Sequence, residues 1–298
     1  MAKTLKYLVA LFFLSSAIPV ASEPAITNLS AVSATDKVVN QLWQKLNDKK
    51  LKLKSSSALI VDRFNNPVFE KSIDEPLPIA SITKLMTAIV TLDAELPLDD
   101  KITITKQDRD LIRLTGSRLK YGATLSRREL VMLALMSSEN RAAAALGRTY
   151  PGGTEAFVRA MNQKARSLGM YSSQFADPAG LKSENVASPR DLVTLARTAN
   201  QYPLIRQATT GRELVVKPYK KKGPLRYVNT NRLIKNKHWE IELSKTGYIN
   251  EAGRCLLMQT EIAGQPLVIV LLNSYGKLTP FGDANRIRKW IESGIEQS

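Results

Sequence analysis

Two residue types that build many functional sites are almost missing from this chain, which has one cysteine, Cys255, and one histidine, His238. A lone cysteine excludes an intramolecular disulfide, and one Cys with one His cannot assemble a conventional structural zinc site. The neighbours of Cys255, from Arg254 to Met258, read as a buried strand in which an unpaired thiol behaves as a small hydrophobe. Long apolar runs are lacking as well. The stretch Tyr7 to Leu14 is broken by Ser15 and Pro19, short of the roughly 20 residues that a bilayer span requires. Internal repeats, low-complexity tracts and an internal composition break are absent too, so the chain after its lead-in reads as one domain, 53–298.

The start has its own character. Lys3 and Lys6 precede the short apolar run, and Ser15, Ser16, Ala17, Ala21 and Ser22 follow it. A basic end, a short apolar centre and small residues are the parts of a secretory signal, read here over 1–22 with cleavage between about 21 and 25. Residues 23–52 form a polar, lysine-rich lead-in with a helix expected around Val38 to Leu46. Export places the mature protein outside the cytoplasm, in the periplasm, with no stable membrane anchor.

Charge is abundant and one-sided. The chain carries 43 Lys and Arg against 27 Asp and Glu, a formal charge of +16. Loss of 1–22 removes two lysines and no acid, leaving +14. Such a balance favours an anionic partner. Export puts nucleic acid out of reach and leaves acidic extracellular polymers, cell-wall peptides with free carboxylates among them.

Hydrophobic periodicity gives the architecture. Ser57 to Arg63 reads as a strand, with Asn65-Asn66-Pro67 as a turn and Val68-Phe69-Glu70 as its hairpin partner. Helical patterns follow from Ser81, over Leu125 to Met136, Arg141 to Leu146, Thr154 to Leu168 and Pro189 to Asn200. Beyond Gly211 the period returns to that of strands at Glu213 to Lys217, Ile241 to Ser244, Gly253 to Ile262 and Leu267 to Asn273. Ala284 to Ile291 closes with a helix. Strands at both ends around a helical middle predict an α+β fold. One antiparallel sheet is built from both termini and covered by helices, with an inserted all-helical subdomain.

Three short motifs carry chemistry. In Ser81-Ile82-Thr83-Lys84, at a helix start, residues three apart share a face, so the Lys84 amine can reach the Ser81 hydroxyl. A serine needs such a base, and a lysine desolvated beside Leu85 and Met86 can lose its proton. The string also occurs at Ser117 to Lys120 and Ser274 to Lys277, but only Ser81 stands between Pro76 and Pro78 and a long amphipathic helix. In Ser138-Glu139-Asn140 the hydroxyl can relay a proton and the amide can both donate and accept. Ser138 could equally cap a helix, and Ser183-Glu184-Asn185 repeats the pattern. Lys245-Thr246-Gly247 occurs once, at what reads as the end of a strand. Lys245 and Thr246 can hold a carboxylate there, and Gly247 admits a close backbone.

In this order the three are the motif set of penicillin-binding proteins and serine β-lactamases. The stretches Pro78 to Thr87, Phe175-Ala176-Asp177-Pro178-Ala179-Gly180-Leu181 and Lys245-Thr246-Gly247-Tyr248 resemble the low-molecular-mass D-alanyl-D-alanine peptidases, and within them the periplasmic endopeptidases. The likeness runs from about Leu53 to Ile291. It implies Ser81 as nucleophile, Lys84 as general base, Ser138 as proton relay and Asn140 as a further catalytic residue. It also implies substrate binding by Lys245, Thr246, Gly247 and Tyr248, with an oxyanion hole from the N–H groups of Ser81 and Tyr248. Peptidoglycan would be the substrate, β-lactams covalent inhibitors, and no cofactor or metal would be needed.

Some features depart from better-known carboxypeptidases of that family. Seven residues follow Ile291, which leaves no room for their second β-domain or amphipathic anchor, and Ile249 stands where relatives often carry Thr. The readings left open are an endopeptidase, a carboxypeptidase removing terminal D-Ala, a β-lactamase, and a silent peptidoglycan-binding scaffold. The Glu-x-x-Leu-Asn string of class A β-lactamases is missing, and five intact catalytic positions exceed what a scaffold needs.

Overall fold

The segment Ser55–Asp62 is apolar at almost every central position because both of its faces are covered, as in strands at the middle of a sheet. In the computed structural model, which describes residues 42–296, this strand (β1) pairs antiparallel with β2 (Pro67–Lys71) on one side and β5 (Gln265–Ser274) on the other. With β3 (Glu240–Ile249) and β4 (Gly253–Ile262) they form a five-stranded sheet in the order β2-β1-β5-β4-β3. The sheet is therefore assembled from both ends of the chain, as the periodicity predicts. The signal-like start, 1–22, and lead-in residues 23–41 lie outside the described residues; of the expected lead-in helix, 42–44 are helical.

Two cores flank the sheet. Leu59 and Val61 of β1 join the larger one, with Leu257 of β4 and Val268, Val270 and Leu272 of β5. That core continues into the insert through α1 (Thr83–Asp93), α2 (Arg127–Met136), α3 (Asn140–Arg148), α4 (Gly153–Ser167), α5 (Pro189–Asn200) and α6 (Pro203–Thr210). On the opposite face Ala58, Ile60, Met258 and Ile269 pack against Trp43, Leu46 and Leu51 of the lead-in and against Ile287 and Ile291 of α7 (Thr279–Glu296). Among the described residues no helix is long and apolar enough to cross a membrane.

The insert is not helical throughout. Three two-stranded ladders lie in it, pairing Leu77–Pro78 with Val186–Ala187, Lys101–Thr103 with Thr124–Ser126, and Glu213–Val216 with Leu225–Val228. The second displaces the expected start of α2. Residues 124–126 are strand, and Ser126 then caps the helix in a capping box with Glu129. Helix α6 has no counterpart in the sequence pattern; it begins on Pro203, whose missing N–H costs nothing in a first turn. The last helix extends well past Ala284 to Ile291 on both sides.

Strand β3 carries the third motif. Its periodicity predicts an end at Ser244, with Lys245-Thr246-Gly247 beyond it. Instead Lys245, Thr246, Gly247 and Tyr248 pair with Leu257, Leu256, Cys255 and Arg254 of β4, inside a ten-residue strand. Strand propensity alone undervalues Lys and Gly, but a neighbour on one side supplies the hydrogen bonds that hold them extended. Cys255 is buried there, and burial pushes its thiol up to about 12, as an inert core thiol requires.

The two termini of the sheet are tied by Asp283 of α7. Its buried carboxylate accepts the N–H groups of Lys54 (3.0 Å) and Ser55 (2.7 Å) and the Ser55 hydroxyl (2.6 Å), and pairs with Arg286 at 2.7 Å. Asp283→Ala strands two backbone donors, and we expect it to lower unfolding free energy by ~2–4 kcal/mol in urea titrations. An unchanged midpoint would show that the tie contributes nothing.

Candidate active site

The chain enters α1 through a tight 3-10 turn, Ala80–Ile82, with Ala80 in the left-handed region at φ 48°. That turn presents Ser81 at the foot of the helix. It is held from two sides. The Ile79 N–H donates to the Asn185 carbonyl, and Gly180, at φ 72°, lies so close that a Cβ there would stand 2.0 Å from the Ala80 carbonyl oxygen. From the sheet side Gly247 also comes close, since its Cβ would lie 2.8 Å from the Ile79 oxygen and 3.2 Å from the Ser81 nitrogen. Gly247 is thus the point where β3 and the Ser81 turn meet, and a side chain would force them apart.

One turn along, Lys84 is fully buried. Its Nζ lies 2.8 Å from Ser81 Oγ, 2.8 Å from Asn140 Oδ1 and 2.6 Å from the Ala179 carbonyl. Burial pulls its pKa from 10.5 down to about 7, against the opposing pull of Asp177, Glu139 and Asp110. A neutral amine has two protons and one lone pair. Here two neighbours only accept and the third, a hydroxyl, can donate, so the pocket matches the neutral form group for group.

Ser138 occupies the link between α2 and α3 in the left-handed region, φ 57°. It does not cap α3; the Glu139 carboxylate does, accepting from the Arg141 N–H. The Ser138 hydroxyl instead accepts from Lys245 Nζ at 3.0 Å, and Lys245 also donates to the Thr246 carbonyl at 2.8 Å. Burial drives the Lys245 pKa well below its usual value, and the Lys84 cation adds to the shift. Between these walls lies a cavity of about 390 Å³ lined by Ser81, Ser138, Asn140, Thr246, Gly247 and Tyr248. Lys84 and Lys245 sit behind that lining rather than in it.

Other positions with similar sequence strings are elsewhere engaged. Ser117 accepts the nearby Leu119 N–H, and Ser274 is buried against Ser55. Asn185 of the second Ser-x-Asn string is a loop builder. Its amide takes the Ala176 N–H and gives to Asp177 and to the Lys182 carbonyl. His238 is exposed on the loop before β3 and does not line the cavity. No group of His, Cys, Asp and Glu that could hold a metal ion occurs among the described residues.

Sequence patterns give no sign of several contributors. Asp177 gathers the N–H groups of Ala179 and Leu181 and the Asn185 amide, and so aims the Ala179 carbonyl at Lys84. Thr230 places its hydroxyl 2.7 Å from that of Thr246 in the same cavity, whereas Ile249 is buried in the core. Arg254 stacks its guanidinium 3.6 Å from the centre of the Tyr248 ring at the cavity wall. Only the run Phe175 to Leu181 around Asp177 carried a signal, as part of the family resemblance; the others are brought in from distant elements.

Comparison with known proteins identifies relatives of this chain. The family model described as D-alanyl-D-alanine carboxypeptidase matches residues 44–276. The chain is 48% identical over 243 residues to a D-alanyl-D-alanine endopeptidase of Pseudomonas aeruginosa, covering 81% of this chain and 78% of that protein. It is 46% identical over 241 residues to one of Escherichia coli, covering 80% and 78%. Among solved structures it is similar to the Streptomyces K15 DD-transpeptidase, with TM-score 0.75, 25% identity and coverage of 81% and 98%. It is also similar to penicillin-binding protein D2 of Listeria monocytogenes in its ampicillin-bound form, with TM-score 0.68, 27% identity and coverage of 80% and 98%.

The Gly180 contact allows a direct test of how the turn is held, with Gly116 as the control. Gly180→Ala combines a left-handed backbone with a 2.0 Å clash against backbone, and we expect a loss of ~2–4 kcal/mol in unfolding free energy. Gly116→Ala, with open space around its Cβ, should stay within about 0.5 kcal/mol of the parent. Equal stability of the two variants would refute the contact.

Proposed function

The chain belongs to the D-alanyl-D-alanine carboxypeptidase family of serine peptidases, and from that premise we propose that it is a DD-endopeptidase cutting D-alanyl crosslinks between peptidoglycan stem peptides. The observation that carries the reading is the Lys84 amine, buried, 2.8 Å from Ser81 Oγ, with its other two contacts on acceptors.

On this reading neutral Lys84 takes the Ser81 proton as Oγ attacks the D-alanyl carbonyl. The N–H groups of Ser81 and Tyr248 receive the developing oxyanion at the helix foot, where the dipole adds its share. The tetrahedral adduct collapses as Ser138 relays to the leaving amine the proton that Lys84 took from Ser81, which leaves an acyl-enzyme on Ser81 and Lys84 neutral again. Water, deprotonated by the same base, then releases the acid and restores the serine. Lys245 polarises Ser138 and contributes positive potential for a substrate carboxylate, which Thr246 contacts. Thr230 offers a second hydroxyl beside Thr246, on the cavity side where Ile249 offers none.

Endopeptidase action is favoured over removal of terminal D-Ala by the activities for which the two relatives at 48% and 46% identity are named. The family description and a D-alanyl-D-alanine carboxypeptidase of Bacillus subtilis, 29% identical, support the second reading. A β-lactam resembles the D-Ala-D-Ala terminus, so it should acylate Ser81 and persist. The strongly basic charge suits an acidic polymer, and the signal-like start supports a periplasmic location, where that polymer is found.

Labelled penicillin should therefore modify Ser81, and Ser81→Ala should abolish the label; retention of label, or its mapping to Ser117 or Ser274, would falsify the assignment. Digestion of purified crosslinked muropeptides should yield monomers in excess of free D-Ala by mass spectrometry. Free D-Ala in excess would establish the carboxypeptidase instead.

The pH dependence has a definite sign. With the amine near its ordinary 10.5, only about one molecule in a few thousand would be neutral at pH 7; at about 7, half are. Acylation should rise about tenfold per pH unit below that value and level off above it. Lys84→Arg, which cannot give up its proton, should lose a hundredfold to ten-thousandfold in acylation rate at any of these pH values. A flat profile would remove Lys84 from the role of base.

A further inference from the structure

Between the ladder strand Lys101–Thr103 and α2 the chain makes a loop, 109–116, that belongs to none of the three motifs. Its apolar residues give it no anchor, since Leu111, Ile112 and Leu114 are 73%, 54% and 67% exposed. What holds it is polar. Asp110 is buried beneath it and accepts the N–H groups of Ile112 (2.9 Å) and Arg113 (2.9 Å) on one oxygen. The other oxygen accepts the N–H (3.0 Å) and the hydroxyl (2.6 Å) of Thr115. Arg113 fastens the outer side, donating to the Leu181 carbonyl at 2.6 Å and pairing with Glu251 at 2.7 Å.

The direction of these bonds fixes more than the loop. Burial raises the Asp110 pKa, but the hydrogen bonds from Arg113, Thr115 and Ile112 outweigh it and hold the carboxyl below its ordinary range. An ionised carboxylate only accepts, so the Thr115 hydroxyl proton must point at Asp110. The lone pairs of Thr115 Oγ1 then face Asn140 Nδ2, which donates to them at 2.9 Å. With its nitrogen so engaged, the amide can present only its oxygen to Lys84, at 2.8 Å. The reversed amide would set oxygen against oxygen at Thr115 and N–H against the N–H groups of Lys84. Four groups in series, Asp110, Thr115, Asn140 and Lys84, thus have a single consistent polarity.

We propose that Asp110 and Thr115 are positioning residues for acylation, holding the Asn140 amide oxygen on Lys84 so that the one lone pair of the neutral amine is left for Ser81. The proposal rests on the reading of Lys84 as base. Without the acceptor at Thr115 the amide is free to turn its N–H toward Lys84, and the lone pair is then spent on Asn140 rather than on the nucleophile. Neither residue need touch substrate for this effect.

The same geometry predicts how the titration moves. Lys84 faces Asp177 on the loop after α4, Glu139 at the cap of α3 and Asp110 on its own loop, and shares its pocket with Lys245 on β3, whose pKa its charge lowers. An amide donor turned toward it disfavours the ammonium form further. The acid limb of acylation should therefore shift to lower pH while the plateau rate falls.

The test uses Thr115→Val and Thr115→Ser in the full chain, with Ser81→Ala as control, following acylation by fluorescent penicillin across the neutral range in stopped flow. Thr115 is exposed, and both variants keep the N–H that bonds Asp110, so the loop anchor survives. Thr115→Val should lower the plateau rate about tenfold to a hundredfold, with the limb displaced toward acid, and Thr115→Ser should restore both. Parental rate and limb in Thr115→Val would overturn the proposal, as would a slow Thr115→Val with an unshifted limb that Ser does not rescue. Labelling that persists in Ser81→Ala would instead bring down the reading of Ser81 and Lys84 themselves, which separates the two failures.

Discussion

An ammonium group taken wholly out of water, with only uncharged groups in contact, is held at a free-energy disadvantage, and that constraint governs the architecture around Lys84. Its partners are a hydroxyl, an amide oxygen and a backbone carbonyl, while the nearest negative charges act from beyond contact. The balance falls at about 7, between an ordinary lysine and a fully suppressed one. Removing a contributing carboxylate would lower the pKa further, and opening the pocket to water would raise it. Each surrounding element serves that balance. The loop after α4 aims a carbonyl, the Glu139 cap sets the start of α3, and the insert core shuts out solvent.

The second lysine shows why the site needs both halves of the fold. Lys245 comes from β3, a strand contributed by the C-terminal part of the chain, and Lys84 from the helix that follows the N-terminal hairpin. The Lys84 cation adds to burial in lowering the Lys245 pKa, so the strand edge that closes the cavity also brings in a lysine whose charge depends on its neighbour. Gly247 is the contact that permits this, because any side chain there would separate strand from turn. The sheet holds the register of that contact through seven consecutive pairings of β3 with β4, from Ile249–Gly253 to Leu243–Gln259. The Asp283 tie, beside Ser55 and the Ser274 end of β5, keeps the two termini of the chain in one sheet.

Most of the fold is legible because it rests on local periodicity. β1, its hairpin partner, α5 and β4 appear where their patterns place them, with β4 and α5 matching at both ends. The errors share a cause. The pattern cuts β3 short at Ser244 because Lys245 and Gly247 look like the end of a strand, and only pairing with β4 keeps them extended. Ser138 looks like a helix cap, but its left-handed backbone turns the hydroxyl to Lys245 and leaves the cap to Glu139. The start of α2 gives way to a ladder whose other strand lies more than twenty residues earlier.

The candidates for the chemistry were determined by the sequence itself. A serine and a lysine three apart at a helix start must share a face, and the order of the three motifs named the rest. What tertiary structure alone decided was the state of those residues. Nothing local makes Lys84 buried, since its burial is imposed by helices and loops from across the insert. Nothing local shows that Asp110, Thr115, Asp177 or Thr230 reach the site, because the bonds linking the first three to it span between 2 and 25 residues and pass through loops without periodicity. Spacing within one helix is fixed by 3.6 residues per turn, whereas the polarity of a hydrogen-bonded chain depends on which groups meet in space.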